Sequence, residues 1–93
     1  METTVTENPG RHRYEMSVDG VLAGFTMFTI DGDVAIMPRT QIEPEYKGQD
    51  LATTLIATTL DDLRHRGLRV VPRCPFVRDF IDKHPQYQDL VGR

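Results

Sequence analysis

From Arg13 to Val18 (RYEMSV) polar and apolar residues alternate, with Tyr14, Met16 and Val18 on one face. A period of two is the pattern of a half-buried strand. Asp19-Gly20 follows, a pair favoured in two-residue hairpin loops because both central residues need positive φ. Val21 to Ile30 is rich in apolar and β-branched residues and reads as a second strand, in which Gly24 marks a bulge or a close contact. Asp31-Gly32 repeats the turn signal. Asp33 to Ile42 reads as a third strand, with Pro38 marking a bulge or an unpaired position near its middle. Three such runs joined by tight turns predict an antiparallel meander.

The period changes after Glu43-Pro44. Between Gln49 and Arg66, Leu51, Leu55, Ile56, Thr59/Leu60 and Leu63 recur at helical spacing. Arg64 and Arg66 suit the negative end of the helix dipole, and Gly67 follows as a C-terminal cap. Leu68 to Val71 is a short strand that Pro72 ends. A second helix is expected to begin at Pro75, with Phe76, Val77, Phe80 and Ile81 on one face, and to stop at His84-Pro85. Tyr87, Leu90 and Val91 are expected to hold the C-terminal tail to the body. The predicted order is β-β-β-α-β-α. Its β-α-β segment is long enough for a crossover that sets the fourth strand parallel to the third. The fold class is therefore α+β: a mixed sheet, an antiparallel meander plus one parallel strand, with helices packed on it. Residues 1–10 are polar and carry the breaker Asn8-Pro9-Gly10. They are expected to form a flexible N-terminal arm ahead of a single domain over residues 11–93.

With 93 residues, the chain supports one modest core. A formal net charge of -3 argues against bulk electrostatic binding of nucleic acid. It leaves an anionic small ligand open, because local charge can oppose the mean. Cys74 is the one cysteine, so no intramolecular disulfide can form, which fits a reducing compartment. The N-terminal residues lack a signal pattern, and no apolar run approaches the ~18 residues of a membrane span. The expectation is a cytoplasmic protein that engages neither membrane nor nucleic acid. His12, His65 and His84 show no metal-ligand spacing, and no metal site is expected.

Two places carry candidate chemistry. Glu45 to Ala52 (EYKGQDLA) leads into the long helix. The first N–H groups of a helix have no internal partner and sit at the positive end of its dipole. With Gly48 to admit close approach and Lys47 to add charge, the loop can cradle a phosphate. Equally, Asp50 can simply cap the helix. Tyr46 can anchor the loop by packing its ring. The second place is Cys74, between Arg73 and Pro75 at the expected N-cap of the last helix. A helix N-terminus and a nearby cation both favour thiolate. The residue reads either as a nucleophile or thioester contact, or as a small buried hydrophobe. Phe76 and Phe80 read as core or as a ligand platform.

The run from Pro44 to Val91, above all VVPRCPFVRDFIDKHPQY, resembles the minimal single-domain members of the GNAT superfamily of N-acetyltransferases, the YjdJ-like group. The upstream GFTMF and DGDV match as well. The resemblance implies a reduced GNAT fold, acetyl-CoA as cofactor, and an amine acceptor such as a protein lysine or a small amine. The family's pyrophosphate loop, Gln/Arg-x-x-Gly-x-Gly/Ala, falls on Lys47-Gly48-Gln49-Asp50-Leu51-Ala52, with Asp50 in place of the inner glycine. The resemblance further implies that the strand ending at Ile42 pairs with the pantetheine arm through its backbone. A splay between that strand and Leu68–Val71 would admit the thioester. Cys74 is implied as the active-site thiol, and Tyr46 and Phe76 join the cofactor-binding set. The group commonly carries His-Thr-Glu-Val where this chain has Arg39-Thr40-Gln41-Ile42, so the family's histidine and glutamate are absent. That departure keeps two alternatives alive: a CoA or acyl-CoA-binding module with little turnover, and a protein-interaction domain using an exposed edge strand at Arg13 to Val18.

Overall fold

The computed structural model describes residues 2–47 and 50–92. Seven strands and two helices form it: β1 (Thr3–Asn8), β2 (Arg13–Val18), β3 (Val21–Met27), β4 (Thr29–Asp31), β5 (Val34–Met37), β6 (Thr40–Ile42), α1 (Leu51–His65), β7 (Arg69–Pro72) and α2 (Pro75–Lys83). The strands form two sheets, ordered β1-β2-β3-β6 and β4-β5-β7. β7 runs parallel to β5 and the other pairs are antiparallel.

The flexible arm expected over residues 1–10 is corrected: Thr3–Asn8 is a strand paired with β2 along its whole length. Alternating β-branched residues suit a strand despite their polarity, and Val5 packs against the core. Asp19 fastens the start of β1, donating its N–H to the Glu2 carbonyl and accepting the Glu2 N–H, both at 2.8 Å. β2 is therefore an interior strand, and the edge expected at Arg13 to Val18 does not exist; β1 is the edge. The hairpin β2–β3 turns on Asp19-Gly20, both at positive φ, as the pair predicts.

The long second and third strands are each broken in two. After Met27 the chain turns Phe28 into the core, where its ring lies 5.1 Å from that of Tyr14. It then leaves the first sheet for the second as β4. After Met37, Pro38 interrupts the pairing, and the chain returns to the first sheet as β6 beside β3. Because β7 stays with β5, no strand among the described residues pairs with the other side of β6. The two sheets thus diverge between β6 and β7.

Gly24 serves both of the purposes foreseen for it. The β2–β3 register slips between Met16 and Ser17 opposite it, and a Cβ there would lie 2.5 Å from Ile42 Cδ1 and 2.7 Å from the Gln41 carbonyl oxygen. A side chain at this position would push β6 off β3. The predicted stripe of α1 is buried as expected: Leu51, Leu55, Ile56, Thr59, Leu60 and Leu63. The helix ends in a Schellman pattern, with the N–H groups of Gly67 and Leu68 donating to the carbonyls of Arg64 and Leu63. In α2, Val77, Phe80 and Ile81 are buried, whereas Phe76 is 42% exposed and is not part of that face. Tyr87 and Leu90 tuck the tail inward; Val91 stays exposed while bridging to Val70. None of the described helices is long and apolar enough to cross a membrane.

Candidate active site

The divergence of the sheets opens a cleft of about 460 Å³, within the range of small-ligand sites (roughly 300–1,000 Å³). Its walls are Thr40, Gln41 and Ile42 of β6, Tyr46 and Lys47 of the following turn, Asp50, the start of α1 (Leu51, Ala52, Thr53), and Phe76 of α2. Of the residues predicted for the site, Ile42, Tyr46, Lys47, Asp50, Leu51, Ala52 and Phe76 therefore share one surface. Gly48 and Gln49 lie outside the described residues.

The backbone of β6 is aimed by its pairing. The Met27 N–H donates to the Arg39 carbonyl and the Glu43 N–H to the Ala23 carbonyl, both at 2.8 Å. Bonding directions alternate along an antiparallel strand. Arg39, Gln41 and Glu43 thus face β3, and the backbone groups of Thr40 and Ile42 face the splay. At the other end, Thr54 is the first residue of α1 to bond back, to the Asp50 carbonyl at 3.4 Å. The N–H groups of Leu51, Ala52 and Thr53 precede it and have no partner within the helix.

Asp50 is not a side-chain cap. It stands at φ 58°, ψ 17°, without a capping hydrogen bond, and its side chain is exposed. Among residues with a Cβ, aspartate and asparagine tolerate this left-handed region best. Asp50 therefore supplies the backbone turn that a glycine would supply, while adding a carboxylate beside the helix N-terminus.

Cys74 lies one layer deeper. It is 5% exposed and is not part of the cleft wall. Its N–H donates to the Met37 carbonyl at 2.9 Å, which fixes the start of α2 against the end of β5. Burial raises the thiol pKa. Hydrogen bonds from the Thr40 side chain and from the backbones of Val77, Phe76 and Thr40 outweigh it, so the net shift is downward. Thr40 is the residue that sequence reasoning missed. Its hydroxyl lies 2.9 Å from that of Thr26, a fully buried polar side chain. It lines the cleft on one side and touches Cys74 on the other. The available signal was a lone threonine, two residues beyond the Pro38 break, at an inward position.

At the outer lip, the Arg39 guanidinium donates to the Gln41 amide oxygen at 2.6 Å. The two departures from the family pattern thus engage each other. Asp50 is the one carboxylate among the described lining residues, and it sits at the α1 end. No group of three or more potential metal ligands occurs among the described residues.

This cleft fits a ligand such as acetyl-CoA. It offers unpaired helix N–H groups and Lys47 for phosphates, strand amides for a peptide-like arm, and Ile42, Leu51 and Phe76 as apolar wall. Similarity to known proteins agrees. Over 63 residues the chain is 35% identical to a candidate [ribosomal protein bS18]-alanine N-acetyltransferase of Bacillus subtilis (strain 168), covering 68% of this chain and 42% of that protein. The chain thus spans about two-fifths of that relative. The solution structure of a GCN5-like N-acetyltransferase candidate from Staphylococcus aureus superposes with a TM-score of 0.74 at 15% identity, covering 96% of this chain and 87% of that one. A PaiA N-acetyltransferase from Thermoplasma acidophilum, solved with coenzyme A, superposes with a TM-score of 0.57 at 19% identity, covering 80% of this chain and 48% of that one. The model of the GCN5-related N-acetyltransferase family matches residues 13–90. The chain therefore belongs to the GCN5-related N-acetyltransferase family.

Proposed function

We propose that this chain is an acetyl-CoA-dependent N-acetyltransferase acting on an amine acceptor. The observation that carries the proposal is the splay of β6 from β7, opening onto the unpaired N–H groups of α1. Bound acetyl-CoA would supply an acetyl group activated as a thioester. The N–H groups of Leu51, Ala52 and Thr53, with Lys47 and the Gly48-Gln49 segment, would hold its phosphates. The Ile42 N–H, facing the splay, can donate to an oxygen on which negative charge develops. Tyr46 and Phe76 wall the cleft.

The burial of Cys74 behind the cleft wall favours a proton-handling role over acyl carriage, because acyl carriage needs the sulfur at the wall. Thr40 stands between the thiol and the cleft and can pass a proton outward to a leaving thiolate. The residues of β6 that line the cleft, Thr40, Gln41 and Ile42, carry no carboxylate to act as a base, so the acceptor would enter as the neutral amine. A second reading, a CoA-binding module without turnover, is favoured by the engagement of Gln41 by Arg39 and by the lack of that base. Calorimetric titration with acetyl-CoA, followed by mass spectrometry of an amine mixture, separates the readings. Saturable binding with acetylated product supports the transferase, and binding without product supports the module. No saturable binding at millimolar acetyl-CoA would overturn both.

A further inference from the structure

Thr40 and Cys74 face each other across the base of the splay. Their chain neighbours Arg39 and Arg73 are both exposed, whereas Cys74 is buried. Arg78 joins them: its guanidinium donates to the carbonyls of Pro72 and Arg73 at 3.4 and 3.3 Å. Three arginines thus adjoin the Thr40–Cys74 contact, two as chain neighbours and one by bonding to the Pro72 and Arg73 carbonyls, in a protein whose net charge is -3. The ion pairs of the described residues lie elsewhere, at Arg13–Glu15, Arg64–Asp89, Arg66–Glu7 and Arg66–Asp62. Arg39 bonds a neutral amide and Arg78 bonds backbone carbonyls, so neither is neutralised by those contacts, and the Arg73 residue is exposed.

We propose that this arginine cluster selects the acceptor: an amine that carries a carboxylate close by, as an acidic peptide N-terminus or a free acidic amino acid does. The inference rests on the transferase reading for the position of the acyl end. A donor filling the cleft from the α1 side leaves the acceptor to reach Thr40 past Arg39, Arg73 and Arg78. Guanidiniums bind carboxylates through paired N–H groups and repel cationic acceptors such as lysine-rich segments and polyamines. Glu15 is held by Arg13 at 2.7 Å, and Glu43 lies further along the same face of β6 toward α1. Neither neutralises the cluster.

The test measures binding as well as turnover. Peptides with free N-termini and C-terminal dyes, one beginning with aspartates and one with lysines, are titrated by fluorescence anisotropy at low salt, with and without saturating CoA. Free aspartate and free lysine serve as competitors that distinguish a peptide from a single amino acid. The acidic peptide is expected to bind about fivefold to tenfold more tightly, with the difference shrinking as salt rises. The double variant Arg39→Glu/Arg73→Glu should reverse the order. Circular dichroism confirms that the variant folds, and Arg39→Gln/Arg73→Gln gives a milder step in the same direction. Equal binding of the two peptides, or tighter binding of the basic one by the wild type, overturns the proposal. If acidic peptides are preferred but no amine is ever acetylated, the transferase reading fails while the anionic preference stands.

Discussion

At the residue scale, three side chains of the candidate site depart from simple expectations. Asp50 looks in sequence like a helix cap, but its left-handed backbone shows that its main contribution is conformational. Asp50→Gly should therefore keep the fold and strengthen acetyl-CoA binding about fivefold to tenfold, by removing like-charge repulsion near the phosphates. Asp50→Ala should lower stability by about 1 kcal/mol in chemical denaturation, because alanine pays the full cost of the left-handed region. Thr40 could not be singled out from sequence, since its importance comes from Thr26 and Cys74, which are distant along the chain. Cys74 was legible as the N-cap of α2, and burial places it behind the wall rather than on it. Thr40→Val removes a hydrogen bond that favours the thiolate, so the Cys74 pKa should rise, as read from ultraviolet thiolate absorbance against pH; Thr40→Ser should restore it. Comparing acetyl transfer by wild type and Cys74→Ser then tests the thiol's role: a lower rate is expected, and equal rates would remove the thiol from the mechanism.

At the scale of elements, polar contacts join α1 to the first sheet. Tyr14 on β2 donates its hydroxyl to Asp62 of α1, and Arg66 donates to the same tyrosine oxygen at 3.1 Å while pairing with Glu7 of β1 at 3.2 Å. One polar cluster thus ties α1 to both N-terminal strands. Burial first, then the Asp62 hydrogen bond, push the phenol well above its ordinary value; the Arg66 hydrogen bond opposes them. A pKa raised on folding gives stability that is present below the unfolded value, near 10, and is lost as pH rises toward the folded one. Tyr14→Phe should lower stability by about 1–2 kcal/mol at neutral pH. It should also flatten the alkaline fall, both checked by urea unfolding across pH. Gly24→Ala should cost about 1–3 kcal/mol and weaken acetyl-CoA binding together, because the added methyl meets the backbone of β6.

The same elements show what the sequence could convey. The α1 stripe, the α2 start at Pro75, the Asp19-Gly20 turn and the parallel fourth strand were all readable from periodicity and turn chemistry. β1 was not, because a threonine-rich, weakly apolar segment resembles a tail until a partner strand is known. Nor were the breaks at Phe28 and at Pro38-Arg39 readable as sheet changes. A period-two pattern gives a strand's faces, but not which sheet it joins.

For the whole molecule, those two breaks matter most. They carry the chain from one sheet to the other and back, and so leave β6 unpaired on the side facing β7. The candidate site follows from this topology, with the α1 N-terminus at one end and Thr40 beside Cys74 at the other. On that side the Thr40 backbone already bonds to the Cys74 thiol, and the Ile42 backbone is left for the peptide-like arm of a ligand. The most direct test is amide chemical-shift mapping of the 15N-labelled chain during an acetyl-CoA titration. The account predicts saturable shifts at Thr40, Gln41, Ile42, Lys47, Leu51, Ala52, Thr53 and Phe76, with β1 and the C-terminal tail unmoved. Saturable shifts confined to other surfaces, or none at all, would contradict it.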